Sequence, residues 1–123
     1  MDASIGYTDA RQAAVARSAA LRWMLECDVV DDGSLSRQFG LTPEAVGAVR
    51  DGSPLLVESA RAAQIDRLVA AQSLLLDGYS PGRMADWFRT PMAGLEGCSA
   101  RDVLNRETDG TPQVLEVAEA WMG

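Results

Sequence analysis

The sequence predicts an all-helical fold, and three observations predict it. No stretch of useful length alternates apolar and polar residues. Alanine and leucine supply 32 of the 123 residues, against 12 for valine and isoleucine. All five prolines follow a hydroxyl residue, at Thr42-Pro43, Ser53-Pro54, Ser80-Pro81, Thr90-Pro91 and Thr111-Pro112. Ser or Thr satisfies the free N–H groups of a helix start, and Pro fits the first helical position because its missing donor has no partner there. Four of the five pairs are therefore expected to open helices. A chain of 123 residues, 47% apolar, should bury roughly two-thirds of its unfolded surface in one core, without metal or disulfide support.

Thr8 to Asp28 reads as the first helix, with Ala13, Ala16, Ala20, Trp23 and Cys27 along one stripe at spacings of three or four. An acidic loop ending at Gly33 follows. Ser34 can cap a short helix through Phe39; Gly40 ends it, and Thr42-Pro43 opens another to about Arg50, closed by Gly52. From Pro54 a long central helix is expected to run to Asp77, with Ile65, Leu68, Val69, Leu75 and Leu76 on one face. Ser80-Pro81 starts a helix carrying Met84, Trp87 and Phe88 at i, i+3 and i+4, which Thr90-Pro91 breaks. Ser99 with Asp102 resembles a capping box for a helix through Leu104. Thr111-Pro112 opens the last helix, where Val114, Val117, Ala118 and Trp121 complete a helical template. A seam near Gly78 divides the chain into an N-terminal part, 1–78, and a unit of three short helices, 79–123.

Eighteen Asp and Glu against eleven Arg, with neither Lys nor His, leave a net charge of −7. That field repels phosphate and argues against a long electrostatic footprint on nucleic acid. Without His or Lys the usual general bases and nucleophile partners are missing, so no enzyme activity is expected. Cys27 and Cys98 lack metal-ligand spacing and read as buried free thiols. The loop after Asp28 places Val30 and Phe39 where a calcium loop needs oxygen ligands, and no metal or other cofactor is expected. The first residues lack a cationic stretch followed by an apolar one, and no run reaches the ~18 apolar residues of a membrane span. A cytoplasmic protein without membrane contact is the expectation.

Two constellations carry functional readings. Residues 34–52 have the shape of a helix-turn-helix, held by Leu35, Phe39, Leu41, Val46 and Val49. Its second helix offers Pro43, Glu44, Ala45, Gly47 and Ala48 where a DNA reader places base-contacting side chains. The motif is thus degenerate, with Arg37, Gln38, Arg50 and Arg61 as the candidate DNA contacts of an operator-binding repressor. The second constellation is the apolar C-terminal unit. Trp87 reads as core. Trp121, two residues from the chain end, has little chain beyond it to bury its indole, and such a terminus marks a partner surface.

A helix ending in Trp87-Phe88, the Thr90-Pro91 step, the Leu95-Glu96-Gly97 turn, a short helix ending at Leu104, and a Val-rich helix stopping at Gly123 together resemble the C-terminal toxin-binding domain of the Xre/MbcA/ParS antitoxins. The resemblance covers about Pro81 to Gly123. The helix-turn-helix-like part sits where this family carries its Xre-like region. Ala100 departs from the proline common in the family at that position. The resemblance implies an all-helical protein, frequent homodimerisation, and a partner toxin of the RES fold that consumes NAD and is blocked at its active-site entrance. It implies toxin contacts at Trp87, Phe88, Arg89, Pro91, Glu116, Glu119, Trp121, Met122 and Gly123, with Arg89, Glu116 and Glu119 at the rim. Repression of its own operon and a helical interaction module unrelated to toxins are the alternatives.

Overall fold

The computed structural model describes the backbone of residues 3–123 and the side chains of residues 9–123. Over these residues the chain forms α1 (Ala3–Glu26), α2 (Asp32–Phe39), α3 (Pro43–Asp51), α4 (Ser59–Leu76), α5 (Pro81–Arg89), α6 (Ala100–Leu104) and α7 (Thr111–Met122). The only strand-like pairing among them is an isolated bridge between Met92 and Cys98. The fold is a small all-α bundle, as the sequence predicts.

α4 is its strut. α7 packs along it, and α1, α2 and α5 also lie against it. Ile65, Leu68, Ala71 and Leu75 of α4 are fully buried, while Val69 is half-buried and Leu76 is exposed. One cluster of buried side chains runs from Leu21 on α1 to Ala118 on α7 and includes residues on both sides of Gly78.

Three expectations about local structure are corrected. α4 begins at Ser59, not Pro54. The segment before it is drawn out along α1, where the Leu55 N–H donates to the Ala14 carbonyl at 3.1 Å and the Leu55 side chain is buried. Burial of Leu55 therefore overrides the helix-start signal of Ser53-Pro54. Of the five hydroxyl-proline pairs, those at Pro43, Pro81 and Pro112 stand at helix starts. At the last of these Gly110 takes the cap position, and the buried Thr111 hydroxyl donates to Asp109 Oδ1 at 2.6 Å.

On α1 the buried face is turned by about one residue from the alanine stripe. Ala14, Ser18, Leu21 and Met24 face inward with Ala20, whereas Ala16 is exposed and Ala13, Trp23 and Cys27 are half-buried. The larger apolar area of Leu21 and Met24 outweighs that of alanine and sets the rotation.

α2 is capped by Asp31 rather than Ser34. Asp31 Oδ1 accepts the Ser34 N–H at 2.7 Å and the Ser34 hydroxyl at 3.0 Å. On α6 the expected reciprocal box is present: Ser99 Oγ accepts the Asp102 N–H and Asp102 Oδ2 accepts the Ser99 N–H, both at 3.1 Å. Helices α2 and α3 end on Gly40 and Gly52, whose φ values of 63° and 74° lie in the left-handed region that glycine adopts without a Cβ penalty.

The two capping carboxylates make stability acid-sensitive. The N–H groups of Ser34 and Ser99, followed by the hydroxyls of the same serines, hold the Asp31 and Asp102 carboxyls below the usual range. A group whose folded pKa is depressed stabilises the fold above its unfolded value, about 3.9, and that stability is lost as pH falls through the lower folded value. The urea midpoint should therefore fall as pH drops below about 4. The double variant Asp31→Asn, Asp102→Asn keeps the caps without the charge, so its midpoint should fall less steeply over the same range.

Candidate protein-binding surface

Along α7, Val114 and Ala118 are buried against the core. Trp121 continues the same stripe at i+7 but passes the end of the core, leaving its side chain 53% exposed. It is not loose: Trp121 Nε1 donates to Tyr79 Oη at 2.6 Å. Tyr79 occupies the turn between α4 and α5, fixed by its N–H donating to the Leu75 carbonyl at 2.8 Å. Ser80 then caps α5 by accepting the Arg83 N–H at 3.2 Å, and the Arg83 guanidinium lies over the Tyr79 ring, 4.6 Å from its centroid. Tyr79, Arg83 and Trp121, with Asp86 and Trp87, wall an open cleft of about 200 Å³ between α5 and the end of α7.

The residues expected to meet a toxin divide into two groups. Trp87 and Phe88 are not surface contacts: they are 4% and 0% exposed. Phe88 meets Trp87 edge to face at 5.1 Å and Trp23 at 5.8 Å. Burying this aromatic trio outweighs leaving two large rings for a partner. Arg89, Pro91, Glu116, Glu119, Trp121 and Gly123 are exposed, and Met122 is half-buried. The Arg89 guanidinium reaches back to the Cys27 carbonyl, tying α5 to the end of α1.

Glu116 and Glu119 do not form a rim around Trp121. At about 100° per residue they point roughly 140° and 160° away from it around the α7 axis. Tyr79 and Arg83 do share the Trp121 face, and neither is marked in the sequence. Arg83 is legible only as a first-turn residue after Ser80-Pro81, and no local pattern joins Tyr79 to a tryptophan 42 positions later.

The candidate DNA contacts are largely committed within the fold. Gln38 is 2% exposed; its Nε2 donates to the carbonyls of Val103 at 3.2 Å and Arg106 at 3.0 Å, and its Oε1 accepts the Gly110 N–H at 3.3 Å. It straps α2 to α6 and to the segment that follows it, and cannot reach a groove. Arg61 donates to the Gln38 carbonyl and to Gln64 Oε1, and Arg50 is paired with Asp32. Arg37 is exposed on α2, while the exposed start of α3 carries Glu44. A continuous basic face does not form around the helix-turn-helix.

Cys27 and Cys98 are both free and half-buried rather than sealed; burial pushes the Cys27 thiol up from its ordinary value. No described helix is long and apolar enough to cross a membrane. Compared with protein-family models, with curated proteins and with solved structures, the chain matches none.

Proposed function

We propose that this chain is an antitoxin that binds a RES-fold, NAD-consuming toxin in the cytoplasm and blocks its active-site entrance. The observation that carries the reading is the half-exposed Trp121 indole, held by Tyr79 at the edge of a cleft. A large aromatic side chain fixed in one orientation loses little conformational freedom on binding, which is why tryptophan is enriched among residues that dominate interface energies. The order of motifs from Pro81 to Gly123, similar to that of the Xre/MbcA/ParS toxin-binding domain, supplies the identity of the partner. The net charge of −7 suits a partner whose pocket is cationic to receive a dinucleotide.

The docking face centres on Trp121, Tyr79 and Arg83, with Pro91 exposed nearby in sequence after α5. Trp87 and Phe88 act from behind it, as core that fixes α5. The mechanism is occlusion by a rigid helical end.

Co-expression with the protein of the neighbouring reading frame, followed by purification and a growth-rescue assay, tests the reading. A stable heteromeric complex is expected. Trp121→Ala should weaken it by at least about 2 kcal/mol, roughly thirtyfold in Kd, and abolish rescue. The unfolding midpoint of the isolated chain should change little, because the indole is already half in water. A Trp121→Ala protein that binds and rescues like the wild type overturns the proposal.

A further inference from the structure

Trp121 has one hydrogen-bonding group, its indole N–H, and the chain has already used it. Nε1 donates to Tyr79 Oη at 2.6 Å, although the side chain stays 53% exposed. What a partner meets is therefore the carbon surface of the ring. Tyr79 is itself held from two sides, by its N–H donating to the Leu75 carbonyl at 2.8 Å and by the Arg83 guanidinium over its ring. The rest of the cleft offers little to pair with. The Thr90 hydroxyl donates to the Asp86 carbonyl at 2.7 Å, and Met92 is buried. Arg83 and Asp86, both exposed on the α5 wall, carry opposite charges three residues apart. A partner cation resting on the indole would meet Arg83, and an anion would meet Asp86.

We propose that Tyr79 is a positioning residue that seals the Trp121 N–H, so that the indole enters an apolar, acceptor-free pocket on the partner protein. A free N–H buried in such a pocket would weaken binding about tenfold, because a buried donor without an acceptor loses its water and gains nothing. Satisfied within its own chain, the ring can be covered completely without stranding that donor. The same bond fixes the orientation of the indole before the partner arrives, which lowers the ordering cost of association. The inference deepens the antitoxin reading and rests on it for the identity of the partner.

The test combines Tyr79→Phe with replacement of Trp121 by benzothienylalanine, an isostere with sulfur in place of the N–H, in the full-length chain and its co-expressed complex. Tyr79→Phe should weaken the complex at least about tenfold, since it frees the indole and leaves its N–H without an acceptor in the pocket. Benzothienylalanine alone should cost about threefold, the orientation only. The two together should also cost about threefold, so removing the N–H rescues Tyr79→Phe. A partner that supplies its own acceptor gives the opposite pattern: Tyr79→Phe binds like the wild type and benzothienylalanine weakens the complex with either residue at 79. That pattern overturns the inference. So does a loss of about tenfold or more in Asp86→Asn, the mark of a cation held on the ring beside that carboxylate. In the isolated chain, NMR should show the Trp121 N–H exchanging with water about threefold to tenfold more slowly than in Tyr79→Phe, at a similar urea midpoint. Equal exchange in the two chains overturns the inference whatever complex forms. Slow exchange without any toxin complex overturns the antitoxin reading and leaves the sealed indole standing.

Discussion

Phe88→Ala is expected to lower the unfolding free energy of the isolated chain by about 3–5 kcal/mol, the range for truncating a buried aromatic side chain. Phe88 is fully buried, and it is the ring shared by the Trp87 and Trp23 contacts. Its loss opens a cavity where α1 and α5 meet and removes two aromatic contacts of about 0.5–1.5 kcal/mol each within that total. Urea unfolding monitored by far-ultraviolet circular dichroism reads the effect directly. A domain of this size has about 5–15 kcal/mol in all, so the variant should be strongly destabilised and its midpoint should fall sharply. Were Phe88 instead a partner contact on the surface, the change would stay within about 0.5 kcal/mol. The measurement thus separates a core role from an interface role without needing the partner.

Gln38→Leu should cost about 2–4 kcal/mol, although leucine is apolar and similar in size. The substitution leaves the carbonyls of Val103 and Arg106 and the N–H of Gly110 without the hydrogen bonds the amide supplies. Each buried group deprived of its partner costs about 1–3 kcal/mol, and partial relaxation keeps the sum below the additive limit. Gly110 has little room to adjust, since even a Cβ there would lie 2.2 Å from Val103 Cγ1. Urea unfolding of Gln38→Leu beside Gln38→Glu distinguishes the causes: the acid retains the acceptor for Gly110 but loses the donor to the two carbonyls. A Gln38→Leu chain as stable as the wild type would show that the strap contributes nothing.

Gln38 belongs to a recurring device. Gln64 Nε2 donates to the Gln38 carbonyl at 2.7 Å, and Gln72 Nε2 donates to the Ala20 carbonyl at 3.2 Å. Both glutamines are buried on α4. In an alanine-rich bundle the helices come close, and a long amide can bridge them: Gln64 satisfies a carbonyl in the last turn of α2, and Gln72 adds a second donor to one already inside α1. Asn105 does similar work at the end of α6, donating to the Val29 carbonyl at 2.9 Å. These amides tie the segments around α2 and α6 into the same core as α4.

The helical ends were the most legible part of the chain. Gly40, Gly52, Ser80-Pro81 and the Ser99–Asp102 box each act through backbone a few residues away, so their meaning survives without knowledge of the fold. Ser53-Pro54 misled for an equally definite reason: the same local signal was present, but Leu55 had a buried place beside Ala14 that only an extended segment could reach. Trp121 is exposed, as the sequence reading expects, because the stripe of Val114 and Ala118 runs past the end of the core at its position. Trp87 reads as core from the sequence and is buried in the structure; what the structure does not support is the partner contact that the family resemblance implies at Trp87 and Phe88, both of which turn inward where Trp23 arrives from α1. Gln38 looked like a base reader because polarity in sequence does not show whether the partner is a nucleotide or a buried carbonyl.

By itself, the sequence determined the helical class, most of the helix breaks, and an ionisable set of arginines, carboxylates and thiols without histidine or lysine over these 123 residues. These are matters of composition and of hydrogen bonds closed within one turn. Only the tertiary structure decided which face of α1 turns inward, which polar side chains are straps, and that Tyr79, Arg83 and Trp121 share a cleft. A helical period leaves rotation open by a residue, and contacts between positions some 40 apart are set by how the volumes of several helices fill one core.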